Sequence, residues 1–311
     1  MKRILLPLLV IIVMASGCIE ISGNQSGLMQ ARISDHSFFI PNDDITVEAD
    51  VYPTTVIGGK DVSVTFSVTN NMPSESVTDV KIEVYDECLL DIGDEDSKEY
   101  DEIKSNVTKG WDWKWTTFET YHKRDCNIGF RTYWSSIHRG TQDIIVLSPT
   151  EYDARYAAGT LSDLTAYSSY TENPLKVTIS FLDEQPYQNG DDIYMYIDYK
   201  YGGLGDIISL ESGDVSIKLT DSLSISEGDK VPLPEQPGIF KVCSGIYLFN
   251  QESNELSLNK ELKFIDKEAP QTTCVFKAKD SEEVINSDTI TFEAKYKYQL
   301  DNSLLVRIEP K

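Results

Sequence analysis

Runs in which every second residue is apolar fill most of this chain, and that spacing limits what it can fold into. Ile45, Val47 and Ala49 fall on one side of an extended segment that ends at Val51-Tyr52-Pro53. Val62, Val64, Phe66 and Val68 line the next, and Val80, Ile82 and Val84 start a third. On a helix these residues scatter around the axis, whereas on a pleated strand they share one face. Gly58-Gly59 and Asn70-Asn71-Met72-Pro73 break the runs at short intervals. Alternating β-branched strands with such breaks predict an all-β sandwich.

The second half restarts the same grammar. Leu175, Val177, Ile179 and Phe181 alternate, Asn189-Gly190 turns, and Ile193, Met195, Ile197 and Tyr199 alternate again. Between the halves, residues 151–174 lose alternation, and 153–164 have the character of a short helix. The expected organisation is therefore two tandem immunoglobulin-like β-sandwich domains, residues 38–149 and 174–311, joined by a linker at 150–173. Each half is expected to close with a hairpin. Residues 135–140 turn between a strand starting at Cys126 and one at 143–148, and Asp301-Asn302 turns near the end.

Before the first strand stands a different kind of segment. Lys2 and Arg3 precede an apolar run, residues 4–14, and Ala15-Ser16-Gly17-Cys18 closes it with small residues and a cysteine. That is the layout of a secretory signal, here 1–18. It also resembles a lipobox, in which the cysteine, Cys18, becomes the lipidated first residue. Cleavage after the small residues without lipidation, or retention of the run as an anchor, are the alternatives. The run is short against the roughly 20 residues a spanning helix needs. Residues 19–37 then read as a tether. The expected location is extracytoplasmic, on the outer face of the membrane.

Five cysteines is an odd count. With Cys18 lipidated, Cys88, Cys126, Cys243 and Cys274 remain, two in each half, which in an oxidising compartment predicts Cys88–Cys126 and Cys243–Cys274. His122 and Cys126 lie four apart, but no CxxC pair supports zinc. The acidic stretch 86–102 lacks EF-hand spacing and reads as a solvated loop; no metal or cofactor is expected. A net charge of -23 repels phosphate, so nucleic acid is excluded as a partner.

Trp111-Asp112-Trp113-Lys114-Trp115 puts three indoles on one face of a strand. Exposed, they form a candidate ligand platform for sugars or peptides; buried, they are a core face. Asn24 and Asn106 head glycosylation sequons. No nucleophile elbow, HExxH or phosphate loop is present, and His36, His122 and His138 read as ordinary surface residues. Enzymatic activity is not expected.

The halves also end alike. Phe130-Arg131-Thr132-Tyr133 leads to Ile144-Ile145-Val146-Leu147-Ser148-Pro149, and Phe292-Glu293-Ala294-Lys295-Tyr296 leads to Leu304-Leu305-Val306-Arg307-Ile308-Glu309-Pro310. With Pro53, Gly59 and Val62-x-Val64-x-Phe66-x-Val68-x-Asn70, and with Pro186, Gly190 and Ile193-x-Met195-x-Ile197, the chain resembles tandem cell-adhesion-related (CARDB-like) immunoglobulin-type domains of archaeal and bacterial surface proteins. The resemblance implies surface display and binding or scaffolding, with no catalytic residues. Three roles are expected: adhesion or extracellular binding, a structural part of an envelope or appendage assembly, or glycan or solute binding. The partners would be the membrane and an extracellular or envelope protein or glycan.

Overall fold

In the computed structural model, which describes residues 32–33, 37–41, 45–73, 75–93, 96–171, 174–279 and 284–311, the alternating runs are strands and their apolar faces are the core. Val62, Val64, Phe66 and Val68 of Asp61–Asn70 are fully buried, as are Ile193, Met195 and Ile197 of Asp192–Tyr201. Cys18, Asn24 and His36, and with them the signal and most of the tether, lie outside the described residues. The fold is all-β; the helix Pro149–Ala158 (α1) and three short 3-10 turns are the exceptions among the described residues.

Residues 31–311 hold together as one compact unit containing two lobes. In the first, a sheet of Ile45–Tyr52, Asp61–Asn70 and Thr108–Thr117 faces Val77–Asp86 and the start of the long strand Arg124–Leu147. Phe130 of that strand crosses the gap, its ring 5.9 Å from Phe66 and 6.1 Å from Trp113. In the second, Leu175–Phe181, Asp192–Tyr201 and Glu268–Ala278 face a layer that includes Val215–Lys218, Glu255–Leu258 and Tyr247–Asn250. The buried hydroxyls of Tyr199 and Tyr247 hydrogen-bond between those layers. Disulfides Cys88–Cys126 and Cys243–Cys274 form, with Cα atoms 5.7 and 4.4 Å apart. Such bonds persist in oxidising compartments, which fits an extracytoplasmic protein.

The two expected hairpins are absent, and this is the main departure from the sequence reading. Residues 135–140 do not turn: they continue the single strand Arg124–Leu147. Asp301-Asn302 likewise lies inside the unbroken strand Ile285–Glu309. These two strands pair antiparallel along all 24 residues of the first, from Arg124↔Ile308 to Leu147↔Ile285. Each strand begins in its own lobe, where Phe130 pairs with Val84 and Phe292 with Ile217, and ends in the other.

The far ends are reciprocal. In the first half a short strand, Thr55–Ile57, follows Pro53 and pairs in parallel with Arg307–Glu309 of the second half. In the second half Tyr187–Gln188 follows Pro186 and pairs in parallel with Val146 and Leu147 of the first. Each lobe is thus completed by the last strand of the other half. The pairs Ser135↔Lys297 and Ser136↔Tyr296 mark the middle of the ladder, where the repeats are related by a local two-fold.

Between the halves, α1 carries the helical character expected for 153–164. Ser148 caps it, its Oγ accepting from the Glu151 N–H, and Gly159 closes it at φ 69°. No α1 residue is fully buried, so it adds little to the core. Ser168–Tyr170 then pairs back onto 140–142 of the long strand.

Candidate functional site

The tryptophan row is chiefly core. Trp113 and Trp115 are buried and stack on each other and on Phe130 with centroids 5.4 to 6.3 Å apart. They offer no surface to a sugar or peptide. Trp111, nearer the strand's start, is half-buried against Phe66 and Tyr100. None of the three indole N–H groups has an acceptor among the described residues, so the row serves packing.

Other sequence-flagged residues are placed as follows. Asn106 is exposed in the turn before Thr108–Thr117, its Nδ2 donating to Ser105 Oγ at 2.9 Å. Cys126 is spent in its disulfide and gives His122 no thiolate partner for zinc. His138 is not a surface residue. It is buried, with Nδ1 3.1 Å from Thr171 Oγ1 and Nε2 3.4 Å from the Val177 carbonyl. Burial pushes its pKa down to about 4, which keeps the ring neutral near pH 7.

Beside His138, where the first long strand crosses into the second lobe, a cleft of about 570 Å³ opens. Arg139, Gly140 and Thr141 form one stretch of its wall, Ser169, Tyr170 and Thr171 a second, and Thr291, Phe292 and Glu293 a third. Ser216, Lys218 and Glu255 complete it. Gly140 matters to its shape, because a Cβ there would lie 2.6 Å from Phe292 Cε1 and 2.7 Å from Tyr170 Cδ1. Arg139 ties the halves together: its Nε donates to Glu293 at 2.9 Å and its Nη1 to Glu75 of the first half. Glu293 first, then Glu75, holds the guanidinium charged. Lys218 is exposed and has no ion pair among the described residues, while Ser216 donates to Glu255. Hydroxyls, two aromatic residues and a free cation together suit a hydroxyl-rich ligand.

No family model matches this chain. Nor does any curated protein. Among solved structures it is similar to the type II cohesin dyad from the adaptor ScaA scaffoldin of Acetivibrio cellulolyticus, at 7% identity over 75% of this chain and 84% of that one, with a TM-score of 0.20. It is also similar to the collagen adhesin of S. aureus, at 10% identity over 86% and 93% with a TM-score of 0.17. Sulfolobus Turreted Icosahedral Virus gives 10% identity over 87% and 90%, with a TM-score of 0.21. Scores this low leave ligand and family to be argued from the chain itself.

The cleft residues were not singled out by their sequence. Their one local signal is Gly140, since glycine inside a strand marks close approach by another group. Arg139, Lys218 and Phe292 look like ordinary alternating strand residues until the ladder brings them together.

Proposed function

We propose that this protein is a non-catalytic extracellular binding protein, and that the cleft beside Tyr170 and Phe292 takes a glycan segment or a similarly hydroxyl-rich chain. The observation that carries this reading is the lining itself, in which Ser216, Thr141 and Thr291 stand beside two aromatic residues and the exposed Lys218, which has no ion pair among the described residues. In the same reading Cys18 is the lipidated residue that holds the protein at the outer face of the membrane, with the apolar run 4–14 as the alternative anchor. Asn106 is a glycosylation site facing solvent, and Asn24 is a second within the tether.

The test is calorimetric titration of the exported chain with neutral and acidic oligosaccharides, repeated with Lys218→Ala and Tyr170→Ala. Saturable binding that falls at least tenfold in either variant supports the reading. Binding that neither variant weakens, or no binding across the panel, removes it.

A further inference from the structure

We infer that this chain associates with a second copy of itself by trading the same strands its two halves already trade internally. The slot beside 124–134 in the first lobe is filled by 298–308, and the slot beside 285–296 in the second is filled by 136–147. Both fillers are delivered across the middle of the ladder by strands that do not turn. A neighbouring molecule carries the same two fillers, so the first half of each chain can close on the second half of the other, giving two such ladders related by a two-fold that exchanges the chains. The exchange therefore needs no new interface, only a different source for each strand.

Two further observations favour a second copy as the occupant. The connection that keeps the exchange within one chain runs through α1, which has no fully buried residue, before Ser168–Tyr170 pairs back onto 140–142. The seam itself is held by charge pairs that would re-form unchanged between molecules: Arg131–Asp301, Arg139–Glu293 and Arg307–Asp125. Concentration then decides between the closed monomer and the joined form. This inference does not depend on the cleft's ligand.

Cysteine trapping at Arg131 and Asp301 tests it on the full chain. The N–H groups of Arg139, Lys295 and Arg307 bond to Thr171, Asp214 and Thr54, so odd-numbered residues of both strands turn their backbone groups away from the ladder. Arg131 and Asp301 are thus a non-hydrogen-bonded pair, where side chains approach most closely and a disulfide fits. The double variant R131C/D301C is expected to oxidise to a monomer with a 131–301 link. The single variants R131C and D301C, unfolded together with the native disulfides intact, refolded and oxidised, are expected to give a heterodimer joined through 131 and 301. Its yield should rise several-fold over samples mixed after folding, and rise again with chain concentration.

Absence of the heterodimer while the double variant links internally overturns exchange between copies. Failure of the double variant to link, with its near-UV circular dichroism intact, overturns the exchange altogether. Ser135→Cys with Lys297→Cys, a second pair of the same kind in the middle of the ladder, repeats the test should the first pair disturb folding.

Discussion

Arg131 grips Asp301 across 170 residues of sequence, Nε donating to Oδ1 at 2.7 Å and Nη2 to Oδ2 at 2.8 Å. The guanidinium also lies over the Tyr85 ring, 5.0 Å from its centroid. These hydrogen bonds hold the Asp301 carboxyl below the usual carboxylate range. A depressed carboxylate adds stability that is present above its unfolded pKa and lost as pH falls through the folded one. Both side chains are partly solvated, so Asp301→Asn should cost about 1 kcal/mol or less. A urea double-mutant cycle with Arg131→Ala should show the two losses to be coupled, and additive losses would mean that the pair contributes nothing.

His138 predicts a sharper pH response. Its folded pKa is pushed down to about 4, chiefly by burial and further by Lys176, against 6.5 for the free ring. Below pH 6.5 the unfolded chain takes up a proton that the folded chain refuses. Stability therefore falls as pH drops from about 6.5 to 4 and levels off beneath, a loss on the order of 3 kcal/mol. Replacing His138 with Gln should flatten that part of the stability curve, measured by denaturant titration at a series of pH values.

Trp113→Ala should cost about 3–5 kcal/mol, because a fully buried indole leaves a cavity between Trp115 and Phe130. Asp112→Ala, on the exposed face of the same strand, should stay within about 0.5 kcal/mol. Equal effects on the guanidinium midpoint would contradict the facing assigned to this strand.

Gly140→Val is expected to destabilise by roughly 1–3 kcal/mol, since the new side chain overlaps Phe292 and Tyr170. Thermal unfolding checks this directly. A paired Phe292→Ala should recover part of the loss by making room.

Breaking Cys88–Cys126 by serine substitution should cost about 3–4 kcal/mol, as expected for a loop closed over 38 residues. The midpoint in urea should fall and the slope should rise, because the denatured chain without the link exposes more surface.

Much of this fold is readable in the sequence, because apolar alternation and strand burial are the same fact seen twice. Val62 to Val68 and Leu175 to Ile179 show it plainly, and the division of four cysteines between the halves gives their pairing. The missing hairpins have a physical cause. From Cys126 to Val146 the even-numbered residues of the long strand are all buried, but Ser136, His138, Gly140 and Gln142 interrupt the apolar stripe between Trp134 and Ile144. Serine, glycine and aspartate-asparagine are also what turns use. Nothing local reports that a strand from the other half supplies the partner groups. The cleft shares that obscurity, because Arg139, Lys218 and Phe292 meet only through the ladder.

The first lobe lacks its final strand until residue 308 has been made. Synthesis thus runs ahead of assembly. While the second half is being translated, the nascent first half presents an unsealed β-edge at 124–134 and a dangling strand tip at 147. Whatever escorts the polypeptide must shield those backbone groups from neighbours for that whole interval.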